Sequence, residues 1–263
     1  MMNSLDTGDA TLHYELRGEG PLLVLVGAPM DADAFTPAAE LLAADHTVLT
    51  TDPRGINRST AEISTPELRA ADLAALIEHV NKGPATVFGS SGGAVSVLAL
   101  VQSRPELVHT AIAHEPPLNS LLPDRERLYA ETEVMIARHL AGDRRGAWEQ
   151  FMATANIQMP PEMFEAYFAG ELTGQAAADE RFQYEHMLRG TTQWEPDMAV
   201  LRDTPARLLI GLGEDSAGEL CDRTSRALAA ALGTEPTMFP GGHIGFAEDP
   251  KPFADHLREV LRG

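Results

Sequence analysis

The sequence predicts an α/β domain: a mostly parallel central sheet with helices on both faces, interrupted once by a purely helical insertion. Three observations lead there. Short apolar, β-branched runs alternate with stretches of helical periodicity along most of the chain. Those runs are apolar throughout, the pattern of strands buried on both faces of a parallel sheet. From about Leu118 to Trp194 the alternation stops, and only helical patterns remain.

The elements follow in order. "TLHYEL" and "LLVLVG" read as strands joined by the turn "RGEGP". "HTVLTTD" is the next strand. "TPELRAADLAALIEHV" is helical, with Thr65 as N-cap and Pro66 at the first helical position. Strand "ATVFG", helix "GAVSVLALVQS" and strand "HTAIAH" come next, and after the insertion strand "ARLLIGLG". Helix "ELCDRTSRALAAAL", strand "PTMFPG" and helix "KPFADHLREVL" close the chain. The insertion holds nine of the fifteen aromatic residues and five of the ten methionines. It reads as a helical cap over the sheet's carboxyl edge: its aromatics supply the cap's own core, and a few of them line a pocket. No repeat and no low-complexity segment interrupts the pattern.

The 263 residues suit one large domain or two small ones, with a substantial core. Twenty basic residues face 39 acidic ones, a formal charge of −19. Such a surface repels phosphate backbones and anionic lipid, which argues against nucleic-acid and membrane-surface partners. Cys221 is the single cysteine, so an intrachain disulfide is excluded, which suits a reducing cytoplasm. "MMNSLDTGDATLH" lacks a basic segment followed by an apolar one, so no signal peptide is expected, and the run "PLLVLVGAP" is too short to span a bilayer.

One constellation carries chemistry. Gly89-Ser90-Ser91-Gly92-Gly93 matches G-x-S-x-G between a strand and a helix, the context of a nucleophile elbow. Ser91 would sit on a strained turn with its hydroxyl pushed above the sheet edge, and the Gly92 N–H would point where an oxyanion forms. A serine nucleophile needs a base. His243, in "FPGGHIGF", lies in a loop past the last strand, at the same sheet edge. No metal or organic cofactor is implied. His114-Glu115 lacks the second histidine of H-E-x-x-H, since position 118 is Leu118, and the histidines show no zinc-like spacing.

In these features the chain resembles the α/β-hydrolase fold family over nearly its whole length. "GSSGG" is the elbow, and "TDPRGINRST" is similar to the family's D-x-R-G-x-x-x-S segment. "LVLVGAPMDADAF" resembles the strand and loop that normally carry His-Gly, and "GGHIGFAEDPKPF" the histidine loop. Where the family has His-Gly, this chain has Val26-Gly27; the resemblance then implies that the Ala28 backbone N–H is the second oxyanion donor. The usual acid position after the penultimate strand falls on Ser216, with Asp215 one residue early. Some members of the fold instead carry the acid at the end of the strand after the nucleophile helix, which here is Glu115. The stretch ending "AIAHEPPLNSLL" is similar to the zearalenone-type lactone hydrolases, whose triad acid is a glutamate at that point. The resemblance therefore implies a triad of Ser91, His243 and Glu115, with Asp215 as the alternative acid.

The expected architecture is a hydrolase core at 1–117 and 195–263 with a helical cap at 118–194. The expected activity is hydrolysis of a carboxylic ester or lactone of a hydrophobic small molecule. Cofactor-free haloperoxidase, C–C hydrolase or acyltransferase chemistry on the same fold is the alternative, as is a non-catalytic ligand-binding protein. The insertion fits either a lid or the surface of a homodimer.

Overall fold

The computed structural model of the protein describes residues 3–263. Among the described residues nine strands form one sheet: β1 (Asn3–Asp6), β2 (Ala10–Arg17), β3 (Leu22–Val26), β4 (Thr47–Thr51), β5 (Thr60–Ala61), β6 (Ala85–Ser90), β7 (Val108–His114), β8 (Arg207–Gly213) and β9 (Thr237–Phe239). Their order is β1-β2-β4-β3-β6-β7-β8-β9, with β5 beside β2. From β4 to β9 the pairing is parallel; β1, β2 and β5 pair antiparallel at one end.

Every residue of β3 and β4 is buried, as parallel strands sandwiched between helix layers require. Successive side chains of β3 point to opposite faces. Leu22, Val24 and Val26 pack with Val87 and Ala111 against α2 (Pro66–Val80) and α3 (Gly92–Ser103). Leu23 and Leu25 pack with Phe88, Ile112 and Phe239 against α1 (Thr36–Leu42) and Phe253, Ala254 and Leu257. The α2 helix starts as its sequence requires: Thr65 Oγ1 accepts the Leu68 N–H at 3.2 Å, Pro66 occupies the first turn, and Asn81 ends the helix at φ +51°.

Between β7 and β8 every regular element is helical. α4 (Arg125–Leu140), α5 (Arg144–Ala155), α6 (Pro161–Phe164), α7 (Gly174–Phe182), α8 (Leu188–Thr192) and α9 (Met198–Arg202) lie there. Met135, Ile136, Ala147 and Tyr184 form a small core of their own. Leu118 and Trp194, at the two ends of the stretch, pack into the main core instead. The chain closes with α10 (Leu220–Leu232), α11 (Gly245–Glu248) and α12 (Pro250–Arg262). The elements not read from the sequence include β1, α1, β5 and the short α11. Among the described residues no helix is long and apolar enough to cross a membrane.

Candidate active site

Ser91 stands at the joint of β6 and α3 with φ +56° and ψ −124°. A non-glycine residue holds that conformation only when its surroundings enforce it. Here the enforcement is visible. The Ser91 N–H donates to His114 O (2.9 Å) on the neighbouring β7. The two glycines that follow allow the helix to start against the loop after β3. A Cβ at Gly93 would lie 2.4 Å from Val26 O, and one at Gly92 would lie 2.4 Å from Ala28 O. This close approach brings Gly92, at the start of α3, against Ala28, so both candidate oxyanion residues border the same space.

The loop carrying Ala28 is pinned from the "TDPRGINRST" segment. Asp52 is fully buried, accepts the Ala32 N–H at 2.9 Å and accepts Arg58 Nε at 2.7 Å. From the helical insertion, Phe182 and Met187 pack on Ala28 and Ile56. The Asn57 N–H donates to Asp179 Oδ1 at 2.9 Å. The insertion therefore rests directly on the loop that borders Ser91.

Glu115 follows the last residue of β7 and turns the chain at φ +52°. Its side chain is 0 % exposed. Oε1 accepts the Gly213 N–H at 2.8 Å, and Oε2 meets His243 Nδ1 at 2.5 Å. Gly213 ends β8 without a side chain, and a Cβ there would lie 2.7 Å from Gly241 O and 2.9 Å from Glu115 Oε1. Only glycine lets the carboxylate and the histidine loop meet across this strand end. Burial alone would push the Glu115 carboxyl up. The imidazole hydrogen bond and charge outweigh it and hold the group at about 2.

His243 is 28 % exposed and sits just past β9. Burial would lower its pKa, yet the contacts with Cys221 and Glu115 raise it well above the ordinary 6.5. Nδ1 is taken by Glu115, which leaves Nε2 to accept a proton. Among the described residues no hydrogen bond joins Ser91 Oγ to the ring. Glu115 and His243 are thus brought together, at the same sheet edge as Ser91. Asp215 is exposed at the turn after β8 and does not reach Nδ1, which Glu115 occupies. Ser216, at the position the family pattern gives to the acid, is fully buried.

Two neighbours of the imidazole were not read from the sequence. Cys221, in the first turn of α10, lies with its sulfur close to His243 and Glu115, and burial pushes its thiol up. Glu219 precedes the same helix, and burial together with the charge of Glu115 raises its carboxyl. Their separation from His243 by 22 and 24 positions, across a helix and a strand, hides the meeting from any sequence pattern. Inside the core, burial holds His114 down at about 4, so it is neutral beside Ser90 Oγ (3.3 Å).

An elbow serine and a carboxylate-held imidazole at the carboxyl edge of this sheet define a class, the hydrolases of the α/β fold. A model of the alpha/beta hydrolase family matches residues 22–256, and the chain belongs to that family. Its relatives include an uncharacterized hydrolase, YraK, of Bacillus subtilis, 33% identical over 98% of this chain and 95% of that protein. Among solved structures, a thermophilic esterase from Thermogutta terrifontis superposes with a TM-score of 0.74 at 20% identity, covering 100% of this chain and 98% of that one. The enol-lactonase from Burkholderia xenovorans gives 0.72 at 17% identity, covering 99% and 100%. At these identities the two structures share the fold.

Proposed function

We propose that this enzyme is a serine hydrolase that cleaves a carboxylic ester or lactone of a hydrophobic small molecule through an acyl-enzyme. The observation that carries this reading is the 2.5 Å contact between His243 Nδ1 and the buried carboxylate of Glu115, the residue just after the strand that neighbours β6. Ser91 Oγ attacks the carbonyl carbon, and His243 Nε2 takes its proton. Glu115 fixes the tautomer and stabilises the imidazolium that forms. The N–H groups of Ala28 and Gly92 hold the oxyanion, each worth about 3 kcal/mol of barrier. His243 then gives its proton to the leaving oxygen, and water, deprotonated by the same ring, releases the acid. A lactone differs only in that the leaving alcohol stays tethered to the acyl group.

Apolar side chains such as Phe182, Met187 and Ala28 meet beside the elbow, which favours apolar substituents. The esterase and the lactonase on the same fold support the choice of reaction. Helices 118–194 serve in this reading as the cap over the site.

Labelling with a fluorophosphonate, followed by peptide mass spectrometry, tests the nucleophile. Modification confined to Ser91 is expected, and it disappears in Ser91→Ala together with hydrolysis of p-nitrophenyl butyrate. An unlabelled Ser91 at saturating probe overturns the reading. Assayed side by side with an aromatic macrolactone and a vinylogous 1,5-diketone, the ester or the lactone is turned over; turnover of the diketone alone assigns C–C hydrolysis instead.

A further inference from the structure

We propose that Glu115, Cys221 and His243 form a binding site for a thiophilic divalent cation such as Zn²⁺ or Cd²⁺, and that an ion there blocks hydrolysis. The inhibitory part rests on the role of His243 given above; the binding part does not. One carboxylate oxygen, one imidazole nitrogen and the thiol sulfur lie within 4.8 Å of one another. They come from three separate elements: the end of β7, the first turn of α10 and the loop after β9.

The donor set is one that suits zinc: carboxylate, imidazole and thiolate are its ordinary protein ligands. Ligands at about 2.0–2.3 Å around a tetrahedral ion stand roughly 3.3–3.8 Å apart, so the trio needs only a small contraction. Glu115 and His243 must part slightly, since 2.5 Å suits a shared proton rather than a shared ion. The cation takes the place of that proton, which moves to Nε2 of the ring, the atom that would otherwise receive the Ser91 proton. At the thiol the S–H bond breaks, an S–metal bond forms and the proton leaves to buffer.

Access and charge favour the same outcome. His243 and Cys221 are partly exposed, so an ion reaches them from solvent. The Glu219 carboxylate lies near enough to interact with Glu115 and Cys221. The chain as a whole carries −19, which concentrates cations at its surface. Once an ion holds the ring, the imidazole is fixed on the metal and no longer serves the Ser91 hydroxyl.

Titration of the metal-free chain with Cd²⁺ tests the site by two readouts. The first is the ultraviolet thiolate-to-cadmium charge-transfer band. The second is the rate of fluorophosphonate labelling at Ser91. Stoichiometric growth of the band is expected, with labelling slowed in parallel and restored by a chelator. Cys221→Ser abolishes the band, and its labelling, relative to its own metal-free rate, resists Cd²⁺ at concentrations at least about 100-fold higher, beyond an outer-sphere effect. His243→Gln weakens the band by a similar factor. A band unchanged in His243→Gln means that the thiol acts alone and overturns the site. Slowing by Cd²⁺ that is equal in the wild-type chain and in Cys221→Ser overturns it as well. Failure of Ser91 to label without metal sinks the hydrolytic reading alone, because the band still reports on the three ligands.

Discussion

Glu115 and Asp215 separate cleanly by experiment. Replacing a triad acid by its amide leaves the shape but holds the imidazole in the wrong tautomer, a loss in kcat on the order of 10³–10⁴-fold. Glu115→Gln is expected to show that loss, with KM little changed. Asp215→Asn, at an exposed turn, stays within about twofold of wild type. The pH profile gives a second check. His243 accepts a proton only when neutral, and its pKa is raised well above 6.5, so kcat/KM climbs with pH through that raised value. Glu115, held at about 2, stays ionised across the whole assay range. In Glu115→Gln the residual activity reaches its plateau at lower pH, because the neighbouring negative charge is gone. A profile unmoved by that substitution would contradict the contact. At this scale the sequence was informative where a residue sits at a pattern's fixed place. Ser91 follows from its glycines, and Glu115 from the resemblance to fold members that carry the acid at the end of that strand. Cys221 was invisible, because its meeting with His243 is made by the packing of α10, which no local spacing encodes.

At the scale of elements, the elbow depends on how closely α3 approaches β3. Gly93→Ala places a methyl 2.4 Å from Val26 O and 2.8 Å from Gly27 Cα, both backbone atoms that cannot swing aside. Such overpacking costs about 1–3 kcal/mol, read as a fall in Tm of several degrees by calorimetry. The same shift moves Ala28 away from Gly92, so activity falls further than stability explains. An alanine variant with wild-type Tm would show that the loop yields freely. The strands that build this joint were legible because they are unbroken apolar runs. β1, "NSLD", is not: it alternates half-buried and exposed at the sheet edge and carries little apolar signal. α1 escaped notice for another reason. Its seven residues make two turns, too few for a period to stand out between two strands.

For the molecule as a whole, the helices of the insertion are tied together through one buried acid. Glu180 on α7 is 8 % exposed and accepts from Arg144 Nε (2.8 Å), Arg144 Nη2 (2.9 Å) and Trp148 Nε1 (2.9 Å), and it meets His139 Nε2 (2.9 Å). Removing one partner of such a buried pair costs about 3–5 kcal/mol, since the other charge stays uncompensated. Glu180→Ala is therefore expected to speed amide hydrogen exchange across α4, α5 and α7, while β3, β6 and β7 keep their protection. Equal acceleration in the sheet would mean that the insertion and the core open as one unit. That the stretch is helical was plain from the sequence, but its division into helices and its anchoring were not. The anchors are polar and long-range, Glu180 to Arg144 and Asn57 to Asp179, and polar pairs so far apart leave no periodic trace.

The Ser91 N–H reaches across to His114 O, and Glu115 is the very next residue. Hydroxyl and carboxylate thus ride on a single β-α-β crossover, whose two strand ends are tied by that main-chain hydrogen bond. A permuted gene opened anywhere between α4 and α8 would still transcribe that pair intact, and only the imidazole would need to be delivered from afar.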